Sequence, residues 1–205
     1  MKKIKSVNAI EVKRAFVVSD FISAKKDRRQ HLNFVPQDIF KQKLKIAKKR
    51  ALKLKESQLD KIIKDGYKKR LVAYNSSKWY LGKVVTSEIG VWKKAGGLPL
   101  SWTDNSLAST AKKVQHALKY NPKLLRKRSR YSIPNMIKTN VHLLQKEKYL
   151  LPIIFKSGTG TKGRKKLKKQ MKGDIDDGCM RSIALAISGK KTLLAYIGFP
   201  RRTNL

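Results

Sequence analysis

The chain has 205 residues, of which 50 are Lys or Arg and 13 are Asp or Glu, for a formal net charge of +37. A field of that sign gathers polyanions, so DNA or RNA leads as partner with an anionic membrane surface second, and no ordinary soluble enzyme needs so large an excess. An apolar fraction of 40% excludes a purely disordered basic tail, and Cys179 as sole cysteine excludes an intramolecular disulfide.

Residues 1–35 mix short apolar pieces, Ala15 to Val18 and Phe21-Ile22, with the polar stretch Lys25 to Gln30, and read as an arm or a strand with loops. Pro36 suits a helix start. Phe40, Leu44, Ala47, Ala51 and Leu54 then recur at spacings of four and three, which draws one apolar helical stripe that Leu59, Ile62 and Ile63 continue toward Gly66. Lysines on the remaining faces serve equally as a solvated surface or as a track for phosphates. Tyr67 to Lys94 reads as a second helix, from Leu81, Val85, Ile89 and Trp92 at helical spacing, closed by Ala95-Gly96-Gly97. Trp79, Tyr80, Trp92 and Trp102 read as core, with base stacking as the alternative. Asp104 or Asn105 is placed to cap a third helix running to about Tyr120.

From Asn105 to Lys146 there is no Asp or Glu, and Lys123 to Arg130 is the densest Arg cluster. Arg126, Lys127, Arg128 and Arg130 therefore form the first candidate for holding a phosphate backbone. The same residues suit a basic linker between two parts, a mainly helical region over 1–125 and a small α/β module over 126–205. Within the second part, Pro134 to Leu144 reads as a short helix and Tyr149 to Phe155 as a strand with its proline near the start. Ser157 to Lys172 reads as a basic, Gly-rich insertion, whose Arg164, Lys165 and Lys166 join the candidate nucleic-acid contacts. Gly158 to Gly163 matches G-x-G-x-x-G formally, but lacks the βαβ surroundings and the Lys-Ser/Thr pair of a phosphate loop, and reads as a basic loop.

Asp174, Asp176 and Asp177 gather three of the thirteen acids within four positions, followed by Gly178-Cys179-Met180-Arg181. The flanking pattern predicts a strand end, a glycine turn, a helix to Gly189 and a strand over Thr192 to Ile197. An ordinary helix cap accounts for Asp177 and Gly178. It does not account for Arg181, since a cation in the first turn opposes the helix dipole by about 0.3–1 kcal/mol when exposed. Arg181 is thus expected to face an anion, either the carboxylates or a bound phosphate.

Asp177-Gly178-Cys179-Met180-Arg181-Ser182-Ile183-Ala184 resembles the D-G-x-x-R-x-x-A box of the ParB/sulfiredoxin-like superfamily. Leu151-Pro152-Ile153-Ile154-Phe155 resembles the strand that precedes that box, and the likeness covers roughly residues 130–200. It implies an α+β protein, mainly helical at first and then a small ParB/sulfiredoxin-like α/β module. It further implies a nucleotide cofactor, ATP or CTP with Mg²⁺, cradled by Gly178, Cys179, Met180 and Arg181. Asp176 and Asp177 would then be metal ligands or catalytic general bases. Some members of the superfamily are described as nucleases. Cys179-Met180-Arg181 also resembles the sulfiredoxin G-G-C-H-R signature, but Met180 stands where that signature has His, and the loop before the box is longer and more basic than the family's link. Three functions follow as expectations: a DNA-associated protein with a nucleotide-binding module, a phosphoryl-transfer or nuclease enzyme, and a non-enzymatic basic nucleic-acid-binding protein. Apolar runs too short to span a bilayer, and a start that lacks a signal peptide's apolar core, add the expectation of an intracellular protein, cytoplasmic or nucleoid-associated, with no membrane partner. The compact basic chain would also suit a phage or mobile element.

Overall fold

The computed structural model describes residues 1–22, 37–66, 68–156 and 171–200. Lys25 to Gln30, Gly158 to Gly163 and the candidate contacts Arg164, Lys165 and Lys166 lie outside the described residues. In chain order the elements are β1 (Lys2–Val7), α1 (Ala9–Ile22), α2 (Gln37–Lys53), α3 (Glu56–Gly66), α4 (Lys68–Ser76), β2 (Ser77–Val85) and β3 (Ile89–Gly90). They continue with α5 (Leu107–Tyr120), α6 (Lys127–Asn135), α7 (Val141–Lys146), β4 (Ile153–Lys156), β5 (Gly173–Asp177), α8 (Cys179–Ile187) and β6 (Thr192–Pro200). The strands form one mixed sheet in the order β1-β2-β6-β4-β5-β3. The architecture is α+β, and strands from both sides of residue 125 interleave within that sheet.

The expected arm at the start is instead a strand and a helix. Val12, Ala15, Phe16, Val17, Val18, Ser19 and Ile22 of α1 are all buried. A helix enclosed on most sides shows little polar–apolar periodicity, which is why its pattern did not announce it. The Asn8 side chain accepts from the Ile10 N–H at 3.0 Å and starts the helix. In α2 the expected stripe is realised, with Phe40, Leu44, Ala47 and Ala51 buried. Leu59 and Ile63 carry the apolar face into the separate helix α3, which ends at Gly66.

The helix expected over Tyr67 to Lys94 is corrected more sharply. It is short α4 followed by the nine-residue strand β2 and the brief β3. The helical spacing of Leu81, Val85 and Ile89 is incidental. Ser77 to Val85 is rich in aromatic and β-branched residues and finds a nine-residue antiparallel partner in β6, from Ser77↔Pro200 to Val85↔Thr192. Tertiary pairing outweighs the local period. The third helix starts later than expected, with Ser106 as its cap accepting from the Ser109 N–H at 3.2 Å, and ends at Tyr120 as expected.

One sheet face carries an aromatic cluster. Trp79 lies 5.2 Å from Tyr74 and 5.2 Å from Phe155, and Tyr74 lies 5.9 Å from Phe16, between ring centroids. Such pairs add about 0.5–1.5 kcal/mol each beyond their buried area. Gly198 is required beneath them, because a Cβ there would sit 2.8 Å from the Trp79 ring and 2.9 Å from Phe155. On the opposite face Val84, Leu193, Ala195, Ile154 and Ile197 are buried as well. Cover thins toward the edge strand β1, where Lys2 to Ser6 are all exposed, and Lys78 and Lys83 of the neighbouring β2 are exposed too. No helix among the described residues is long and apolar enough to cross a membrane.

Lys13 of α1 is 2% exposed and meets two carboxylates of α3, Glu56 at 2.7 Å and Asp60 at 2.6 Å. The charge that lacks access to water is the ammonium, since Glu56 and Asp60 keep 57% and 27% of their side-chain surface. Removing the acids should therefore be worse than removing the base. The Glu56→Gln/Asp60→Asn double variant is expected to lose about 3–5 kcal/mol in urea unfolding, and Lys13→Met distinctly less. The reverse order would show that the pair is not controlled by the buried ammonium.

Candidate functional site

β5 delivers the acidic cluster to a corner where it turns into α8. Asp174 and Asp176 share one strand face by alternation, and Asp177 ends the strand. Gly178 makes the corner with φ of 90°, in the left-handed region that favours glycine. A Cβ there would lie 3.0 Å from Arg181 Nη2 and 3.2 Å from Pro152 Cα. The glycine thus leaves room for Arg181 to fold back over its own turn.

Arg181 is engaged on three sides. Its Nη2 donates to Asp177 Oδ2 at 2.7 Å, its Nη1 to Ser19 Oγ at 2.7 Å and its Nε to the Leu150 carbonyl at 3.0 Å. The anion that the sequence requires opposite this cation is therefore the chain's own Asp177. One guanidinium binds α8 to α1 and to the approach of β4, positions 162 and 31 residues away.

Asp176 is buried on the aromatic face. Its Oδ2 accepts from Arg70 Nε at 2.9 Å and from the Tyr74 hydroxyl at 3.2 Å, both on α4. Burial works against the Arg70 charge, but Asp176 and the neighbouring acidic groups outweigh it and hold the guanidinium above its ordinary pKa. The Tyr74 hydroxyl is pushed well above the ordinary tyrosine range, first by burial and then by the Asp176 charge. Arg70 also lies 4.8 Å over the Phe16 ring. The thiol of Cys179 accepts from the Trp92 N–H at 3.5 Å and points to the Ile175 carbonyl at 4.0 Å, so it packs into the turn.

The remaining candidates fall elsewhere. Arg126 precedes α6, is exposed, and its side chain lies across Gly97, where a Cβ would sit 2.5 Å from Arg126 Cδ. Arg130 Nη2 donates to the Leu125 carbonyl at 2.9 Å and so secures the turn before α6. Lys127 and Arg128 open α6, and their side chains lie outside the described residues. Arg70, Tyr74 and Ser19 were missed by sequence reasoning, because a partner 102 to 162 residues away leaves no local pattern.

The donor set is already engaged within the chain, so the nucleotide and Mg²⁺ that the resemblance implies would need it rearranged. Asp176 and Asp177 each meet a guanidinium through Oδ2, which neutralises the charge that would attract a metal. A phosphate at Arg181 would have to replace Asp177, Ser19 and the Leu150 carbonyl. Among the described residues, no group of three His, Cys, Asp or Glu side chains is placed to hold a metal. What the corner does is tie three helices, α1, α4 and α8, to β5 and to the turn that leads into β4.

Fold and site together define a basic α+β protein whose mixed sheet is fastened at one corner by two carboxylate–guanidinium pairs, one on the buried Asp176 and one half-buried. Comparison with family models, curated proteins and solved structures found no match.

Arg181→Ala is expected to lower the unfolding free energy by about 2–3 kcal/mol, because Ser19 and the Leu150 carbonyl lose their partner in buried surroundings. A variant as stable as the parent in urea unfolding would show that the staple carries little. The tyrosines give a pH test. Folding raises the pKa of Tyr74 and Tyr196, the latter through burial and a 2.7 Å hydrogen bond to Glu11, so their stabilisation is complete below about pH 10 and declines above it. Tyr74→Phe should therefore flatten the fall in melting temperature between about pH 9.5 and 11 relative to the parent. Parallel curves would refute that coupling.

Proposed function

We propose that the protein is a DNA-associated protein that holds the phosphate backbone through the acid-free segment centred on α5 and the start of α6. The observation that carries this reading is where the carboxylates go. Glu56 and Asp60 serve Lys13, Asp176 serves Arg70, Asp177 serves Arg181 and Glu147 serves Lys48. Glu88 pairs with the exposed Lys172 as well, but among the described residues no carboxylate pairs with a lysine of α5, and that excess charge faces a partner. On α5, Lys112, His116, Lys119 and Lys123 just beyond it follow one another by three or four positions, all exposed, with Arg126 next. Tyr120, 63% exposed, packs against His116 with ring centroids 4.8 Å apart and planes tilted by 48°, and sits under the Lys119 ammonium at 4.8 Å. A helix face of this kind follows a phosphate backbone without reading base sequence.

A second reading keeps the nucleotide. The strand, Gly178 turn and helix that carry the ParB/sulfiredoxin-like resemblance occur in the expected order, and α8 directs its first-turn N–H groups toward that corner. It needs a state in which Arg181 releases Asp177, and for that reason it comes second. In that reading the chain is a nucleotide hydrolase, kinase or nuclease, and its activity requires Mg²⁺ with ATP or CTP.

Replacing Lys112, Lys119, Lys123 and Arg126 together by Gln should weaken binding to duplex DNA. It should also reduce the slope of log K against log salt by roughly 0.9 for each phosphate that the variant no longer neutralises. An unaltered slope would place the binding surface elsewhere. Titration with ATP and CTP in the presence of Mg²⁺ decides the second reading, which fails if neither nucleotide binds the unaltered protein.

A further inference from the structure

We infer that the uncovered edge of the sheet, where β1, β2 and β6 meet, is a stacking platform for unpaired bases of single-stranded DNA. The inference rests on the nucleic-acid reading above and names a second surface and the form of nucleic acid it takes. The register puts the pieces on one face: Lys3 opposite Gly82, Ser6 opposite Tyr80, Tyr80 opposite Ile197, and Lys78 opposite Phe199. Tyr80 and Phe199 are half-buried and meet edge to face, with centroids 5.6 Å apart and planes at 86°. Their packing fixes the rings and leaves part of each open to solvent. The Lys3 ammonium lies 4.1 Å from one centroid and 4.3 Å from the other.

Three features favour a base over a protein side chain as the occupant. The strands β1, β2 and β6 contain no Asp or Glu, and among the described residues neither Lys3 nor Lys78 takes part in an ion pair. An ammonium held over two rings and by no carboxylate can swing to a phosphate, and that movement uncovers the ring faces for the attached base. Aromatic rings beside backbone-tracking cations are the combination that binds single strands without base preference. Finally, Lys3 and Ser6 on this face of β1 and Lys78 of β2 are exposed, and Tyr80 and Phe199 beside them keep part of their surface open. Duplex DNA keeps its bases stacked inside and gains nothing from the rings. The platform therefore discriminates between single and double strands, which the lysine face of α5 does not.

The test compares a fluorescein-labelled oligothymidylate of about twelve nucleotides with a duplex of the same length, using the full chain. Tyr80→Leu and Phe199→Leu keep apolar bulk on the sheet while removing the rings. Each should weaken single-strand binding at least about fivefold and leave duplex binding unchanged. As a measurement on the unaltered fold, an oligonucleotide carrying 5-iodouracil should cross-link to the peptides holding Tyr80 or Phe199. Unchanged single-strand affinity, equal losses on both DNAs, or cross-links confined to other peptides would overturn the platform and leave the backbone-binding reading standing. Failure of the unaltered protein to bind either DNA would overturn both.

Discussion

The constraint on which the rest depends is the disposal of a few carboxylates in a chain with a large cationic excess. Two of them, Asp176 and Asp177, stand at the end of β5 and each takes a guanidinium from a different direction. Arg70 arrives from α4 with Tyr74, and Arg181 folds back from α8 while also holding Ser19 of α1 and the Leu150 carbonyl. Five elements are thereby referred to one corner. The pairs are stabilising in this setting because the charged groups gain hydrogen bonds along with an opposite charge, which a buried pair needs to offset desolvation.

The same corner explains the wording of the sequence there. The glycine is demanded by a left-handed turn and by the approach of Arg181, and the Arg four positions after Asp177 is demanded by the carboxylate it returns to. An Asp-Gly-x-x-Arg run can arise from these packing requirements alone. Phosphate binding is one use of such a turn, and stapling a helix to a strand is another. Here the hydrogen bonds favour the second, because the guanidinium is already committed on three sides.

What could be read in advance was local. The α2 stripe, the stop at Gly66, the end of α5 at Tyr120 and the strand–turn–helix–strand of the last third each depend on neighbours within a turn or two, and each was legible. Two elements were not. Helix α1 is buried on most sides, so it lacks the polar half that makes a helix visible. Strand β2 shows an accidental helical spacing, and its true period is set by β6, more than a hundred residues on. The site divides in the same way. That Arg181 requires an anion followed from its place in the first turn; that Asp177 with Ser19 and Leu150 would surround it did not, because contacts across 162 residues leave no trace in spacing.

The pairing of acids with buried cations would also link folding to the binding proposed above. Net charge of one sign destabilises a compact chain by self-repulsion, and the exposed lysines of α2, α5, β1 and β2 are not neutralised from within. A polyanion that settles on those surfaces removes part of the repulsion and, because it binds the folded arrangement, draws the equilibrium toward it. The carboxylate pairs make the fold attainable without a partner by neutralising the cations that burial would otherwise strand, chiefly Lys13, Arg70 and Arg181. Those left on the surface are the ones that can be served from outside. The division is not complete, since Glu88 pairs with the exposed Lys172, but the carboxylates that meet Lys13, Arg70 and Arg181 are the ones on which the packing of α1, α4 and α8 depends.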